Sequence, residues 1–243
     1  YLTKVRQILF ALSFVLITGT PVFAQVNHLV ISQVYGSGGN SGATYNRDFV
    51  EVFNPSASSI TVSNYAVQYA SAAGTSWAVQ SFSGTIPAGG YFLIGLFTGT
   101  NGVALPTTDA SGTINMSGTA GKVALTSSNV ALSGSCPTGG TIVDLIGFGS
   151  TATCSEGTVA SATGITVAQS FLRASNGCID ANNNSTDFSI GTVNPRNASS
   201  ALNICPSAPT VVTNSPSAIG STSFTMNGTI TANNGNTAAS FDY

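Results

Sequence analysis

Ionisable side chains are scarce in this sequence. Of its 243 residues 6% are charged, against roughly a quarter in an ordinary soluble domain. Lys and Arg total 6, Asp and Glu total 8, and His28 is the one histidine. So few cations exclude a basic face that grips phosphates, and so few acids and imidazoles exclude chemistry that needs several of either. A Ser-His-Asp triad would rest on His28 alone, and no GxSxG elbow accompanies it. His28 is instead expected on the surface, where the first strand begins. The glycine-rich run Gly36-Ser37-Gly38-Gly39-Asn40-Ser41-Gly42 lacks the GxxxxGK[ST] lysine and is followed by no helical pattern. It reads as a long flexible loop rather than a phosphate cradle. No CxxC pair occurs, which leaves zinc without a ligand set. The polar surface must be built from Ser, Thr, Asn and Gly.

At the start, Lys4 and Arg6 precede an apolar run from Ile8 to Ile17, the breakers Gly19 and Pro21, and then Val22-Phe23-Ala24. This order predicts a secretory signal over residues 1–24, cut before Gln25. About ten apolar residues fall short of the roughly 20 that span a bilayer, so no membrane span is expected after signal removal. Arg47, Lys122, Arg173 and Arg196 then stand against eight acids, a net charge of −4. Such a chain is expected to be secreted or extracellular, free or held at a cell surface, with no electrostatic hold on nucleic acid or anionic lipid.

The four cysteines, Cys136, Cys154, Cys178 and Cys205, form an even set, as disulfides in an oxidising compartment require. Three pairings are formally open. Cys136 with Cys154 and Cys178 with Cys205 is favoured, because each bond then closes a loop of modest length and contributes on the order of 3 kcal/mol.

From Leu29 onward, short apolar and β-branched runs alternate with Gly, Asn, Ser and Pro clusters, and no sustained 3.6-residue pattern appears. The pattern predicts an all-β fold with strands at Leu29 to Tyr35, Asp48 to Phe53, Ile60 to Tyr69, Trp77 to Phe82, Tyr91 to Leu96, Lys122 to Leu125, Val130 to Leu132, Thr141 to Phe148 and Ala168 to Leu172. In the third, Ile60, Val62, Tyr65, Val67 and Tyr69 point inward while the other face meets solvent. An immunoglobulin-like β-sandwich of Greek-key type accommodates this number of strands. After Asn194-Pro195-Arg196-Asn197 the composition shifts, and Pro206 to Pro209 reads as a linker. Thr210 to Val212 and Ser223 to Ile230 begin a second β pattern too short for a sandwich, so an incomplete second β-sandwich domain is expected over 210–243.

The successive motifs VISQVYGSGGNSGATYNRDFVEVFNPS, NYAVQYASAAGT, IPAGGYFLIG, INMSGTAGKVALTSS, TIVDLIGFGS and NGCIDANNNSTDFSIGTVNPRN resemble the lamin-tail domain of bacterial secreted proteins, over residues 26–205. The resemblance implies an immunoglobulin-like sandwich and a non-catalytic module. It also implies neighbouring domains in the same chain, such as fibronectin-type repeats, adhesion regions or hydrolases. The segment from Pro209 is similar to the first half of a fibronectin type III-like repeat, with Phe241 and Tyr243 standing where its late aromatic pair falls.

Three chemical readings can be weighed. Asp48 and Glu51 are the closest carboxylates outside the late Asx-rich run, but three positions along a strand place them on opposite faces, so they cannot act on one bond. Glu51 is expected to be bonded locally. Asp144, within an apolar strand, requires backbone donors or a neighbour such as Arg173. The densest polar run is Asp180 to Asp187, in which Asp180, Asn182 and Asn184 alternate and Asp187 adds a carboxylate. These four are the candidate calcium ligands, although Ser185 and Gly191 stand where a helix-flanked loop places Gly and Glu. The other reading of the run is an Asx-rich turn tied down by Cys178. Tyr65, Tyr69, Trp77, Phe82, Tyr91 and Phe92 are expected in the core rather than as an exposed carbohydrate platform. The expected function is adhesion, binding or structural positioning toward an extracellular protein or carbohydrate. The alternative is an accessory region of an extracellular nuclease- or phosphatase-type hydrolase.

Overall fold

The computed structural model describes residues 26–218, 223 and 225–234. The predicted signal and the aromatics Phe241 and Tyr243 lie outside these residues. Ten strands build two sheets: β1 Val30–Tyr35, β2 Arg47–Phe53, β3 Ile60–Ser71, β4 Ala78–Ile86, β5 Tyr91–Thr98, β6 Ala110–Ser111, β7 Gly121–Thr126, β8 Ile142–Phe148, β9 Gln169–Arg173 and β10 Phe188–Thr192. One sheet runs β10-β9-β1-β2-β5-β6 and the other β4-β3-β7-β8. All neighbours are antiparallel except β5 and β6. This is the all-β, immunoglobulin-like sandwich that the alternation predicts.

The core lies where the inner faces meet. Val50 and Val52 of β2, Phe92 and Ile94 of β5, Val67 of β3, Leu125 of β7 and Phe148 of β8 are all buried in it. Each such side chain contributes about 1.5–3 kcal/mol on leaving water. On β3 the inward positions change parity, from Ile60 and Val62 to Tyr65, Val67 and Tyr69. An extra residue makes that possible: the ladder to β4 shifts register between Val62 and Tyr65, and Asn64 adopts φ 61° there. Without this bulge every apolar side chain after it would face outward.

The outer faces are covered too, which the alternation does not reveal. Phe49 and Phe53 of β2 point away from the main core. Tyr35, Leu93 and Val193 pack with the first, and Tyr91 and Cys205 with the second. On the other sheet Ala70, Ala124 and Leu145 lie under Trp77 and Cys154. Here the expected solvent face of β3 is corrected. Val130 to Leu132 form no strand but cross that face: the Gln68 amide donates to Val130 O (2.9 Å) and its carbonyl accepts from Leu132 N (2.8 Å). The Gly36 to Gly42 segment is likewise not loose. Gly36 and Gly38 are buried, and a Cβ on Gly38 would lie 2.0 Å from the Arg47 carbonyl carbon, so only glycine fits.

The disulfides pair Cys136 with Cys154 and Cys178 with Cys205. Beyond Pro209, β11 Thr210–Ser217 and β12 Thr225–Thr231 form an antiparallel pair that leaves Val211 and Val212 exposed.

Candidate functional site

The densest charge in the molecule gathers where the two sheets meet at one edge. Arg173 ends β9 and points into the gap beside β8, and both its side chain and that of Asp144 on β8 are fully enclosed. Arg173 Nη2 donates to both Asp144 oxygens, at 2.7 and 2.6 Å, and Nε donates to Ile31 O on β1 at 2.8 Å. Nη1 reaches Asp180 Oδ1 at 3.0 Å and lies 3.6 Å from Asp187 Oδ2. The Phe188 ring sits 4.5 Å from the guanidinium carbon. Asp144 also accepts from Ile31 N (2.5 Å) and Leu145 N (2.8 Å). Burial alone would lower the Arg173 pKa, but Asp144 and Asp180 outweigh it and hold the guanidinium above its usual value. The expected partnership of Asp144 with Arg173 is present.

The Asx-rich run folds as a self-capped turn against this cluster. Asn183 caps the single helical turn Asn184–Asp187 by accepting from Ser185 N. Of the four predicted ligands, Asp180 and Asp187 face Arg173, and Asp187 also accepts from Ala181 N (3.0 Å) and Asn183 N (3.1 Å). Asn184 turns to β8 instead. Its carbonyl accepts from Gly147 N (2.8 Å) and Glu156 N (3.2 Å), and its amide donates to Leu145 O (2.8 Å). Asn182 is exposed, with φ 52°. The structure therefore brings two of the four together on a cation already in place, and gives Asn184 to the edge of β8.

Glu156 enters the cluster unannounced by the sequence. Asp144, Glu156 and Asp180 offer oxygens within 4.8 Å of one another, close enough for one ion to touch all three. Burial, then the charges of Asp144 and Asp180, push the Glu156 carboxyl up to about 8. His28 is exposed, with Nε2 3.7 Å from Asp180 Oδ2.

Asp48 and Glu51 lie apart on the two faces of β2. Asp48 is buried with no counter-ion among the described residues and accepts from Gly38 N and Met116 N, both at 2.8 Å; burial pushes it up to about 6. Glu51 accepts from Ser32 Oγ on the neighbouring β1 at 2.5 Å, and its counter-ion is distant in sequence. Arg196, 145 residues on, donates Nη2 to Oε1 at 2.7 Å and its backbone N to Oε2 at 2.7 Å. Burial raises the Glu51 pKa against the pull of Arg196. The guanidinium also lies 3.9 Å from the Tyr91 ring centre. Lys122, the one buried lysine among the described residues, donates to Gly74 O and Ser135 O at 2.7 Å and to Thr153 Oγ1 at 3.1 Å. It stands 5.4 Å over the Trp77 ring. A pattern reading places Lys122 at a strand start and says nothing of these acceptors, which come from three separate loops.

The rings are packed as expected, but not all between the sheets: Phe82 and Phe92 are buried in the main core with Tyr65 and Tyr69 at its flank, whereas Tyr91 and Trp77 are buried over the outer faces. One open groove, of about 640 Å³, is lined by Tyr69, Ser71, Trp77, Thr113, Ile114 and Asn115. A second, of about 450 Å³, is lined by Thr119, Ser150, Thr151, Ser161 and Thr163 among others. Apart from the Tyr69 phenol, whose pKa is raised by burial, neither is lined by an ionisable acid or base.

The profile of the lamin tail domain matches residues 23–150, more than half of the chain. The chain belongs to the lamin tail domain family. That family comprises immunoglobulin-like, non-enzymatic modules that bind or position other molecules. The match stops at Ser150, yet β9 and β10 of this lamin tail protein lie beyond it and complete the larger sheet. A search of curated proteins finds no match.

Proposed function

We propose that this chain is an exported bacterial module that binds or positions other molecules, in adhesion or in spacing the domains of a larger extracellular protein. One observation carries the reading. The buried ionisable side chains of the sandwich are engaged as cross-links, Arg173 between β9 and β8 and Arg196 between β2 and the segment after β10, while both open grooves are neutral. A surface of hydroxyls and amides supports recognition of protein or carbohydrate, and a catalytic acid or base would need an ionisable group at a groove. The two disulfides support an oxidising compartment. Residues 26–205 serve as the lamin tail unit, 206–209 as linker, and 210–243 as the start of a fibronectin type III-like repeat.

Two measurements test this. Expression in a secreting host should yield a chain beginning at Gln25 by mass spectrometry. Assays with phosphoesters and nucleic acid should show no turnover, and turnover abolished by Asp48→Asn or Glu51→Gln would overturn the reading. Calcium at Asp180, Asn182, Asn184 and Asp187 is a proposal in which the ion has to displace Arg173 from Asp180 and Asp187, so binding is expected once that guanidinium is removed.

A further inference from the structure

The two sheets end in four strands, and three of these are short or shielded. β6 is two residues long and β10 is five. On β8 the outer backbone is occupied by the Asn184 side chain and by Ala160, whose N–H donates to Gly147 O at 2.8 Å. The fourth, β4, runs nine residues, and among the described residues its only ladder is the one with β3.

Free edges normally carry a lysine, a proline or an inward-pointing charge that stops another chain from adding on. Ala78-Val79-Gln80-Ser81-Phe82-Ser83-Gly84-Thr85-Ile86 carries none of these before Pro87 ends it. The neutrality extends further: no Asp, Glu, Lys, Arg or His occurs from Val52 to Thr108. Gly112 to Asn115 lie beside the first part of β4, with a Cβ on Gly112 only 2.1 Å from Gln80 Oε1. This leaves the part from Ser81 to Ile86 as the open edge, with Ser81, Ser83 and Thr85 exposed; the Gln80 amide, which donates to Ser81 O at 2.8 Å, has to swing aside for another strand to pair there.

We propose that this edge is where two copies of the chain associate. The Ser81 to Thr85 segments pair antiparallel about a two-fold at Ser83, joining two four-stranded sheets into one of eight. A second copy is the occupant that the chemistry favours. On the two-fold axis position 83 meets its own copy, where a charge would repel itself, so an uncharged Ser83 suits homotypic pairing. A different partner would draw selectivity from charge complementarity, and β4 offers none. In this register Ser83 faces Ser83, Ser81 faces Thr85, and the ring of Phe82 stands beside Gly84, which has no side chain to obstruct it.

Sedimentation velocity on the purified chain, from low micromolar to submillimolar, tests the proposal. The parent chain should be a dimer at the upper end. Ser83→Lys and Ser83→Glu should each weaken the dimer about ten-fold or more, because like charges then oppose each other. An equimolar mixture of the two variants should recover the parent affinity and lose it again in high salt. Circular dichroism should show both variants folded, since the side chain at 83 faces solvent. A parent chain that stays monomeric throughout, or a dimer unmoved by both substitutions, overturns the proposal.

Discussion

Arg173 Nη2 stands 2.6 Å from Asp144 Oδ2, with neither side chain exposed to solvent. The pair joins β9 of one sheet to β8 of the other, so it fixes how the two sheets close at that edge. Its energetic weight lies in what is left when one member goes.

Arg173→Met should therefore destabilise the fold by about 3–5 kcal/mol, the range for breaking a buried ion pair. Asp144, Asp180 and Asp187 would then share an enclosure with no cation. Urea denaturation gives the difference from the shift in midpoint, and a loss under about 1 kcal/mol would mean that water enters and solvates the acids.

Arg173 also governs the calcium proposal. With the guanidinium in place, the thermal midpoint should be the same in millimolar calcium and in chelator. In Arg173→Met the carboxylates of Asp144, Glu156, Asp180 and Asp187 lose their competitor, and calcium should raise the midpoint. Stabilisation of the parent chain by calcium would show that an ion binds despite Arg173.

Asp48 predicts a slope of stability with pH. Its carboxyl is pushed up to about 6 by burial, from 3.8 in the unfolded chain. The folded state then holds the proton more tightly, so this stabilising contribution is complete below the unfolded value and is lost as pH rises through about 6. Unfolding free energy should fall by on the order of 2 kcal/mol between pH 4 and pH 7 through this group. Glu51 and Glu156 shift in the same direction, so Asp48→Asn should flatten the slope without abolishing it.

The Cys178–Cys205 bond closes a separation of 27 residues and holds the last covering segment over Phe53 and Tyr91. Replacing both cysteines by serine should cost about 3–4 kcal/mol. Hydrogen exchange should show protection lost first around Arg196 and Tyr91, because Arg196 lies on that segment.

The strand pattern was legible because a sandwich strand writes its burial into local alternation. Val62, Val67 and Tyr69 occupy the inward positions that the third run marks out. The half-exposed β10 and the two-residue β6 escaped, since Phe188–Thr192 reads locally as the end of an Asx-rich loop. The cluster at Arg173 was half legible. A charge inside an apolar strand demands a partner, which points from Asp144 to Arg173, but nothing local marks Glu156 or the turn of Asn184 toward β8. Asp180 and Asn184 share a spacing that suits a metal loop, yet the capped turn at Asn183 aims one at the arginine and the other at a strand edge.

By itself, the sequence determined the fold class, the inward row of the third strand and the poverty of ions, because these depend on residue type and spacing alone. Tertiary structure decided which distant groups meet: Glu51 with Arg196, Gln68 with the crossing Val130 to Leu132, and Lys122 with carbonyls of two loops. It also decided which strand was left at an open edge. Those outcomes follow from the order in which strands pair across the sheets, and that order brings together residues far apart in the chain with no trace in local pattern.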